Sequence, residues 1–276
     1  MQLDPTAQAA GARLIAYDSI GSTNEEALRL ARAGERAPLW IVAATQTAGR
    51  GRRGRTWVSE PGNLHASLLL SDPSPPDRFP ELSFVAALAL CDVVTGRIAG
   101  LAGPMKWMDY QSAYARVKGV IERVQLKWPN DLLIDGNKFA GILVEGEGAT
   151  VVIGIGVNCA HHPDGTEHPA IDLATAGVRA TPDSLFTPLT AALVARLGQW
   201  DRGAGFATIR TDWLSRAARL GKPVRVKTGD GELNGTFEAL DAGGRLVLRL
   251  ADGTMQAVAA GDVFITTKGR SRPSSG

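Results

Sequence analysis

Cysteine and any excess of charge are what this 276-residue chain has least of. Cys91 and Cys159 are the only cysteines. Each lies in an apolar stretch, which speaks for two buried thiols in a reducing compartment and against a disulfide framework. The four histidines, His65, His161, His162 and His168, show no spacing that would hold a metal. Lys and Arg number 30 against 28 Asp and Glu, a net charge of +2, and a protein that grips nucleic acid mainly by charge is more basic than that. No apolar run reaches the roughly 18 residues needed to span a bilayer. Residues 1–10 lack the basic start and apolar core of a secretion signal. These absences predict a cytoplasmic protein without a membrane partner. With 44% hydrophobic and 21% charged residues, the chain has enough apolar material for one large domain, or a large one and a small one.

What the chain does have is a ten-residue stretch, residues 48–57, with Arg50, Arg52, Arg53 and Arg55 set among Gly49, Gly51 and Gly54 and closed by Trp57. Glycine lets backbone approach a ligand closely, and arginine offers a planar fork of donors for phosphate or carboxylate oxygens. Strand-like runs at 39–45 and 64–70 flank the stretch, so it reads as a loop on a rigid frame. An anion cradle, a solvated basic turn and a nucleic-acid patch are the three readings of such a loop.

The rest of the pattern organises the chain. Residues 1–12 read as a loose, disordered lead and 13–17 as a strand. A helix begins after Gly21, where Ser22 with Glu25 and Thr23 with Glu26 both fit a capping box, and Gly34 stops it. Residues 81–98 form a largely buried helix. Residues 99–123 are harder to place. They contain Lys106-Trp107-Met108-Asp109, a partial echo of Lys127-Trp128, and have the look of an insertion. Strands at 132–134 and 138–145 flank the tight turn Asp135-Gly136-Asn137, and a strand at 150–158 continues an antiparallel meander. Helices follow at 184–200 and 206–220. Composition changes at Gly221, and the short alternating runs 224–227, 233–240, 245–250 and 254–259 suggest a small closed or partly closed β-barrel over 221–267. Residues 268–276 read as a disordered tail. The fold class is α+β, with a large domain over 13–220.

A second chemical signal is Lys127-Trp128-Pro129-Asn130-Asp131, followed by Lys138-Phe139-Ala140-Gly141-Ile142-Leu143-Val144-Glu145. The hairpin turns Lys138 back toward Asp131. A lysine and a carboxylate so placed suit phosphate binding and amine activation, or form a surface salt bridge. With Gly21 to Asn24, Gly49 to Trp57, Gly62-Asn63-Leu64 with Ser67, and Gly154 to Asn158, these runs stand in the order found in the biotin protein ligases. From about residue 13 to 266 the chain resembles that family.

The resemblance implies a catalytic domain of mixed, mainly antiparallel sheet with helices, similar to class II aminoacyl-tRNA synthetases, followed by an SH3-like barrel. It implies ATP, biotin and Mg²⁺ as reactants, biotinyl-5′-AMP as the intermediate, and a carrier-domain lysine of a biotin-dependent carboxylase as acceptor. Carried over position by position, Ser22, Thr23, Asn24 and Gln46 take biotin together with Arg50, Gly51, Arg52 and Lys138. Arg50, Arg52, Arg55, Trp57, Asn130, Lys138 and Asn158 take ATP or the adenylate. Lys138, Arg50 and Arg52 act catalytically, and Asp131 orients or deprotonates the incoming lysine. No side chain is assigned to the metal, which arrives with ATP. Only about a dozen residues precede the first core strand, so a winged helix and sequence-specific DNA binding are not expected; homodimer formation stays open. The alternatives are a lipoate protein ligase of the same fold, a basic nucleic-acid-binding module and an inactive biotin sensor.

Overall fold

Short runs of Val, Ile and Leu between Gly, Pro and Asp breaks become strands, and seven of these strands make one sheet. The structure, a computed structural model, describes residues 1–100, 119, 122–229 and 231–265. The first unit, Met1–Ala218, holds β1 (Arg13–Ile20), β2 (Leu39–Gln46), β3 (Leu64–Ser71), β4 (Val124–Lys127), β5 (Asp131–Ile134), β6 (Asn137–Glu147) and β7 (Thr150–Val157). Their order across the sheet is β1-β2-β3-β7-β6-β5-β4. β1 and β2 pair in parallel, and the other ladders are antiparallel. The β5–β6 hairpin closes at Asp135 (φ 50°) and Gly136 (φ 80°), two left-handed residues as a two-residue type I′ turn requires.

Helices cover both faces. α2 (Thr23–Arg32) lies on one face, where its Ala27 and Leu30 pack with Leu39, Ile41, Leu69 and Val152. α3 (Glu81–Gly100), α4 (Pro182–Trp200) and α5 (Phe206–Leu214) build the layer on the other. There Trp40 of β2 meets Phe186 edge to face at 5.3 Å, and Phe84 meets Phe206 and Trp213. In this layer Trp200 Nε1 donates to Glu81 Oε2 at 2.6 Å, and Arg196 joins Asp92 to Asp212. α3 departs from expectation, because residues 81–99 are long and apolar enough to cross a bilayer, with a mean hydropathy of 1.7. The helix is apolar on all sides because it is wedged between the sheet and two helices; Leu82, Val85, Leu88 and Val94 are completely buried.

Three further expectations are corrected. Residues 1–12 are not a loose lead: α1 (Pro5–Ala9) is capped by Asp4, whose side chain accepts from Thr6 N. Leu3 and Ala7 are buried, and Asp4 N donates to Thr190 Oγ1 of α4. Neither capping box at the start of α2 forms, since the N-cap Ser22 makes no side-chain cap bond and Thr23 is used elsewhere. α5 ends at Leu214 rather than residue 220 because the chain leaves the helix to cover the edge of β4. There Arg216 O accepts from Leu126 N, and Ala218 N donates to Leu126 O.

The second unit, Arg219–Gly276, contains β8 (Pro223–Lys227), β9 (Glu232–Leu240), β10 (Leu246–Arg249), β11 (Met255–Val258) and β12 (Asp262–Ile265). They form an antiparallel sheet in the order β11-β10-β9-β8-β12. Closure into a barrel is not among the pairings of its described residues. The insertion-like stretch, with its echo at Lys106 to Asp109, and the tail at 268–276 lie outside the described residues.

Removing residues 1–10 should lower the unfolding free energy by about 2–3 kcal/mol, the worth of burying Leu3 and its neighbours. The urea midpoint would fall measurably; an unchanged midpoint would mean that α1 contributes nothing to the core.

Candidate active site

Register alone places Lys127, Asp131, Gly141, Gly156, His65 and Ala43 opposite one another, in a single row running from β4 to β2. All six share one face of the sheet, because side chains alternate and directly paired residues point the same way. It is the face that carries α2, and the row runs past the N-terminal end of that helix. Two adjacent glycines, Gly141 and Gly156, leave the middle of the row without side chains, so the sheet offers a bare floor there.

At one end of the floor stands a buried charge cluster. Asp131, 9% exposed, holds Lys127 Nζ at 3.0 Å and Lys138 Nζ at 2.6 Å, one on each carboxylate oxygen. Lys138 reaches this face only because β6 is irregular. The β5 pairing shifts between Leu132 and Leu133, whose partners are Ala140 and Lys138. In a regular strand Lys138 and Gly141, three apart, would face opposite ways; a bulge re-aims the lysine. Its Nζ then lies 3.4 Å from where a Cβ on Gly141 would sit. Burial pushes the Asp131 carboxyl up, but Lys138 and then Lys127 outweigh it and hold the group far below the ordinary carboxylate range. The carboxylate is therefore ionised at neutral pH, with both oxygens engaged. This arrangement suits orienting Lys138, and it makes Asp131 a poor acceptor for a proton from an incoming amine.

The arginine-glycine stretch is a hairpin over the floor. Arg50 pairs with Thr56, Gly51 N donates to Arg55 O, and Trp57 N donates to Gly49 O. These bonds lay the indole of Trp57 across Gly156 and Gly141. A Cβ on Gly156 would sit 2.6 Å from Trp57 Cε2, and one on Gly141 3.3 Å from Cζ3. The Lys138 ammonium lies 5.4 Å from the centroid of the Trp57 ring. Arg50 donates to Glu145 Oε2 at 3.0 Å, Arg52 to Asn130 Oδ1 at 3.2 Å, and Arg55 lies 3.8 Å from Glu167. Asn130 in turn clamps β6, donating to Ile142 O and accepting from Ile142 N through its own carbonyl. Asn158, at the exit of β7, donates to Ile171 O, while Ile171 N donates to Lys138 O.

The start of α2 forms the polar end. Gln46 Oε1 accepts from Thr23 N at 2.8 Å and from Thr23 Oγ1 at 3.0 Å, and Gln46 Nε2 donates to Ser59 Oγ. Ser67 Oγ donates to Asn24 Oδ1 at 2.6 Å and lies 2.8 Å from Thr23 Oγ1. Asn24 Nδ2 donates to Glu145 Oε2 at 2.8 Å, which ties this cluster to Arg50. Gly154 is needed here, since any side chain would strike Asn24. Ser22 is buried beside the cluster.

Thr23, Asn24, Gln46, Arg50, Arg52, Trp57, Asn130, Lys138, Asp131 and Asn158 thus converge on one face, while Arg55 and Gly51 sit on the hairpin above it. Sequence reasoning missed two histidines by testing them only as metal ligands. His65 is the sole imidazole of the row. His168 immediately precedes Pro169, whose carbonyl accepts from Lys138 N. Burial first, then Lys127 and Lys138, hold the His168 imidazole below its ordinary range. Pairing register would have exposed His65, but only once the strand order was known. Among the described residues no group of three or more His, Cys, Asp or Glu is placed to hold a metal, and the site's carboxylates, Asp131 and Glu145, already face cations. A divalent ion fits this donor set only as a passenger on a phosphate substrate.

Residues 17–158 match the model of the biotin/lipoate A/B protein ligase family, and residues 220–265 that of the biotin protein ligase C terminal domain. The chain is 40% identical over 254 residues to the biotin–[acetyl-CoA-carboxylase] ligase of Paracoccus denitrificans, covering 88% of this chain and 96% of that one. A biotin protein ligase from Leishmania major in complex with biotinyl-5-AMP is 28% identical with a TM-score of 0.63, covering 90% and 99%. One from Aquifex aeolicus in complex with biotin and ATP is alike in fold, with a TM-score of 0.73, 23% identity and coverage of 91% and 97%.

Two substitutions test the geometry. Asp131→Asn leaves the buried Lys127 ammonium and the partly exposed Lys138 ammonium without their counter-charge and should cost about 3 kcal/mol in a denaturation series. Because the folded carboxyl sits below its ordinary value of 3.8, its contribution is complete above that pH. It is lost progressively as the pH falls below it, and the Asn variant should lack that acid-dependent part of the loss. Gly156→Ala should push Trp57 off the floor, blue- or red-shifting its fluorescence with little change in far-UV dichroism. An unshifted spectrum would show that the indole does not rest there.

Proposed function

The chain belongs to the biotin/lipoate A/B protein ligase family, and from that premise we propose how its own residues run the reaction. It is a biotin–[biotin carboxyl-carrier protein] ligase, with biotin, ATP and Mg²⁺ as reactants. A biotin carboxylate oxygen attacks the α-phosphorus of ATP, pyrophosphate leaves, and biotinyl-5′-AMP forms. A lysine amine of a carboxylase carrier domain then attacks the acyl carbon, an amide forms, and AMP departs. The likeness to named biotin ligases over most of the chain favours this activity over a lipoate ligase or a nucleic-acid module.

The observation that supports the residue assignment best is the position of Lys138, a cation at the end of a bare floor, fixed by a buried carboxylate 2.6 Å away. Bringing a carboxylate up to a triphosphate sets anion against anion. A pre-positioned ammonium offsets that repulsion where charge builds in the transition state. We assign Lys138 to the biotin carboxylate and the α-phosphate, with Asp131 and Lys127 holding it in place. Arg50, Arg52 and Arg55 on the hairpin supply further positive charge above the floor. Thr23 and Gln46, with Ser22 and Asn24 beside them, meet the ureido ring, whose N–H and C=O groups need polar partners in an apolar trough. Trp57 and Asn130 border the adenine, and Asn158 lies at that end. Mg²⁺ comes in on the triphosphate. The hairpin acts as a lid that keeps water from the acyl-adenylate. We place the reaction in the cytoplasm, in keeping with the free thiols of Cys91 and Cys159, and assign no DNA-binding role to a chain of net charge +2.

Incubation with biotin, MgATP and a carrier domain should add one biotin to the carrier, detected by mass. Lys138→Ala should cut the rate of pyrophosphate release at least a hundredfold. A rate within threefold of the unsubstituted protein would remove Lys138 from the chemistry.

A further inference from the structure

His65 is the one residue of the cross-sheet row with a polar side chain that the reaction scheme leaves unused. Its side chain is 1% exposed. It stands on β3 directly opposite Gly156, the glycine under Trp57, and opposite Ala43 on the other side. Two residues along the same strand, Ser67 turns its hydroxyl to Thr23 and Asn24, so both side chains face the site. The imidazole Nε2 lies 3.4 Å from Glu60 O. A carbonyl only accepts, so that contact places the proton on Nε2 and leaves Nδ1 as a lone-pair acceptor. Nδ1 is buried without a partner. Desolvation holds the ring below its ordinary range, against a smaller upward push from the Glu60 contact, which keeps it neutral.

A buried acceptor with nothing to accept costs stability. In a ligand-free protein it is the kind of group a substrate is meant to satisfy. The row decides which part of the substrate does so. From Asp131 to His65 it crosses three strand spacings, about 14 Å, with the bare glycines between. Biotin is an anion at one end and a cyclic urea at the other, joined by an apolar chain. With its carboxylate at Lys138 and the Trp57 indole displaced from the glycines it covers in this structure, the chain runs over Gly141 and Gly156 and the urea reaches the His65 end, beside the Thr23–Gln46 cluster. We propose that His65 is a specificity-determining residue whose Nδ1 accepts a hydrogen bond from a ureido N–H of biotin. This rests on the functional reading above and extends it to a residue to which the resemblance assigns no role.

The test is His65→Leu, a near-isosteric apolar replacement, with His65→Gln as the variant that returns an acceptor. Isothermal titration should show biotin binding about tenfold weaker in the Leu variant, the worth of one hydrogen bond to a buried group, and partly recovered in the Gln variant. KM for ATP should stay within twofold. Without biotin the Leu variant should melt within a few degrees of the parent, because the buried Nδ1 it removes had no partner and the Nε2 contact to Glu60 O that it also removes is long, at 3.4 Å. Biotin methylated on one ureido nitrogen should bind the parent more weakly than biotin does, and the Leu variant should no longer distinguish the two for one of the methyl isomers. Unchanged biotin affinity would overturn the proposal. So would a shift in KM for ATP alone, or a lowered melting temperature that accounts for the lost binding and is not rescued by Gln. If the parent itself failed to bind biotin, the functional reading would fall and the proposal with it; if the parent binds and the variants match it, only the proposal falls.

Discussion

A buried carboxylate is the constraint on which the rest of the site depends. Asp131 sits at the start of β5 with almost no access to water, a position that costs several kcal/mol unless opposite charge is brought in with it. Two lysines meet the demand, one from the neighbouring β4 and one from β6. Meeting it fixes the ends of three strands relative to one another. It also requires the bulge in β6, without which Lys138 would point into the opposite layer. The reactive ammonium is thus held by a requirement of folding as well as by a requirement of chemistry. The same pairing withdraws Asp131 from use as a base, because a carboxylate that already binds two cations has little affinity for a proton.

Beside this cluster the site is defined by absence of side chains. Gly141, Gly154 and Gly156 stand where β6 and β7 approach Trp57 and Asn24 so closely that a single methyl group would collide or crowd. These strand glycines weaken the sheet locally but provide the floor on which an aromatic ring or a ligand can lie. The helix that covers the lower part of the same face ends its apolar contacts at Ala27, and its first residues, Thr23 and Asn24, turn to Gln46, Ser67 and Glu145. The polar groups that would have capped the helix are spent on the site, which is why the capping signature in the chain leads to no cap.

Much of this was legible in the linear chain. The Gly-Arg run, the Lys-Trp-Pro-Asn-Asp run and the Asp135-Gly136 turn carry their local geometry with them, since glycine dihedrals, turn chemistry and hydrophobic alternation act within a few residues. The strand order, the burial of α3 and the anchoring of residues 1–12 were not legible, because they depend on partners distant along the chain, for residues 1–12 more than a hundred positions away. Leu3 and Asp4 look like an unstructured lead until α4 is beside them. A helix apolar on every side looks the same whether lipid or protein surrounds it.

By itself, then, the sequence determined which segments become strands, where two turns fall, and which residue types gather into ordered motifs, all through short-range sterics and polarity. The tertiary structure alone decided that Lys127, Asp131, Gly141, Gly156, His65 and Ala43 form one line across the sheet. Register is set by long-range pairing, and no local pattern records it. His65 is the clearest instance. It lies between Leu64 and Ser67 of a recognised run that assigns it no role, yet pairing places it at the far end of the substrate floor with an unfilled hydrogen-bonding site.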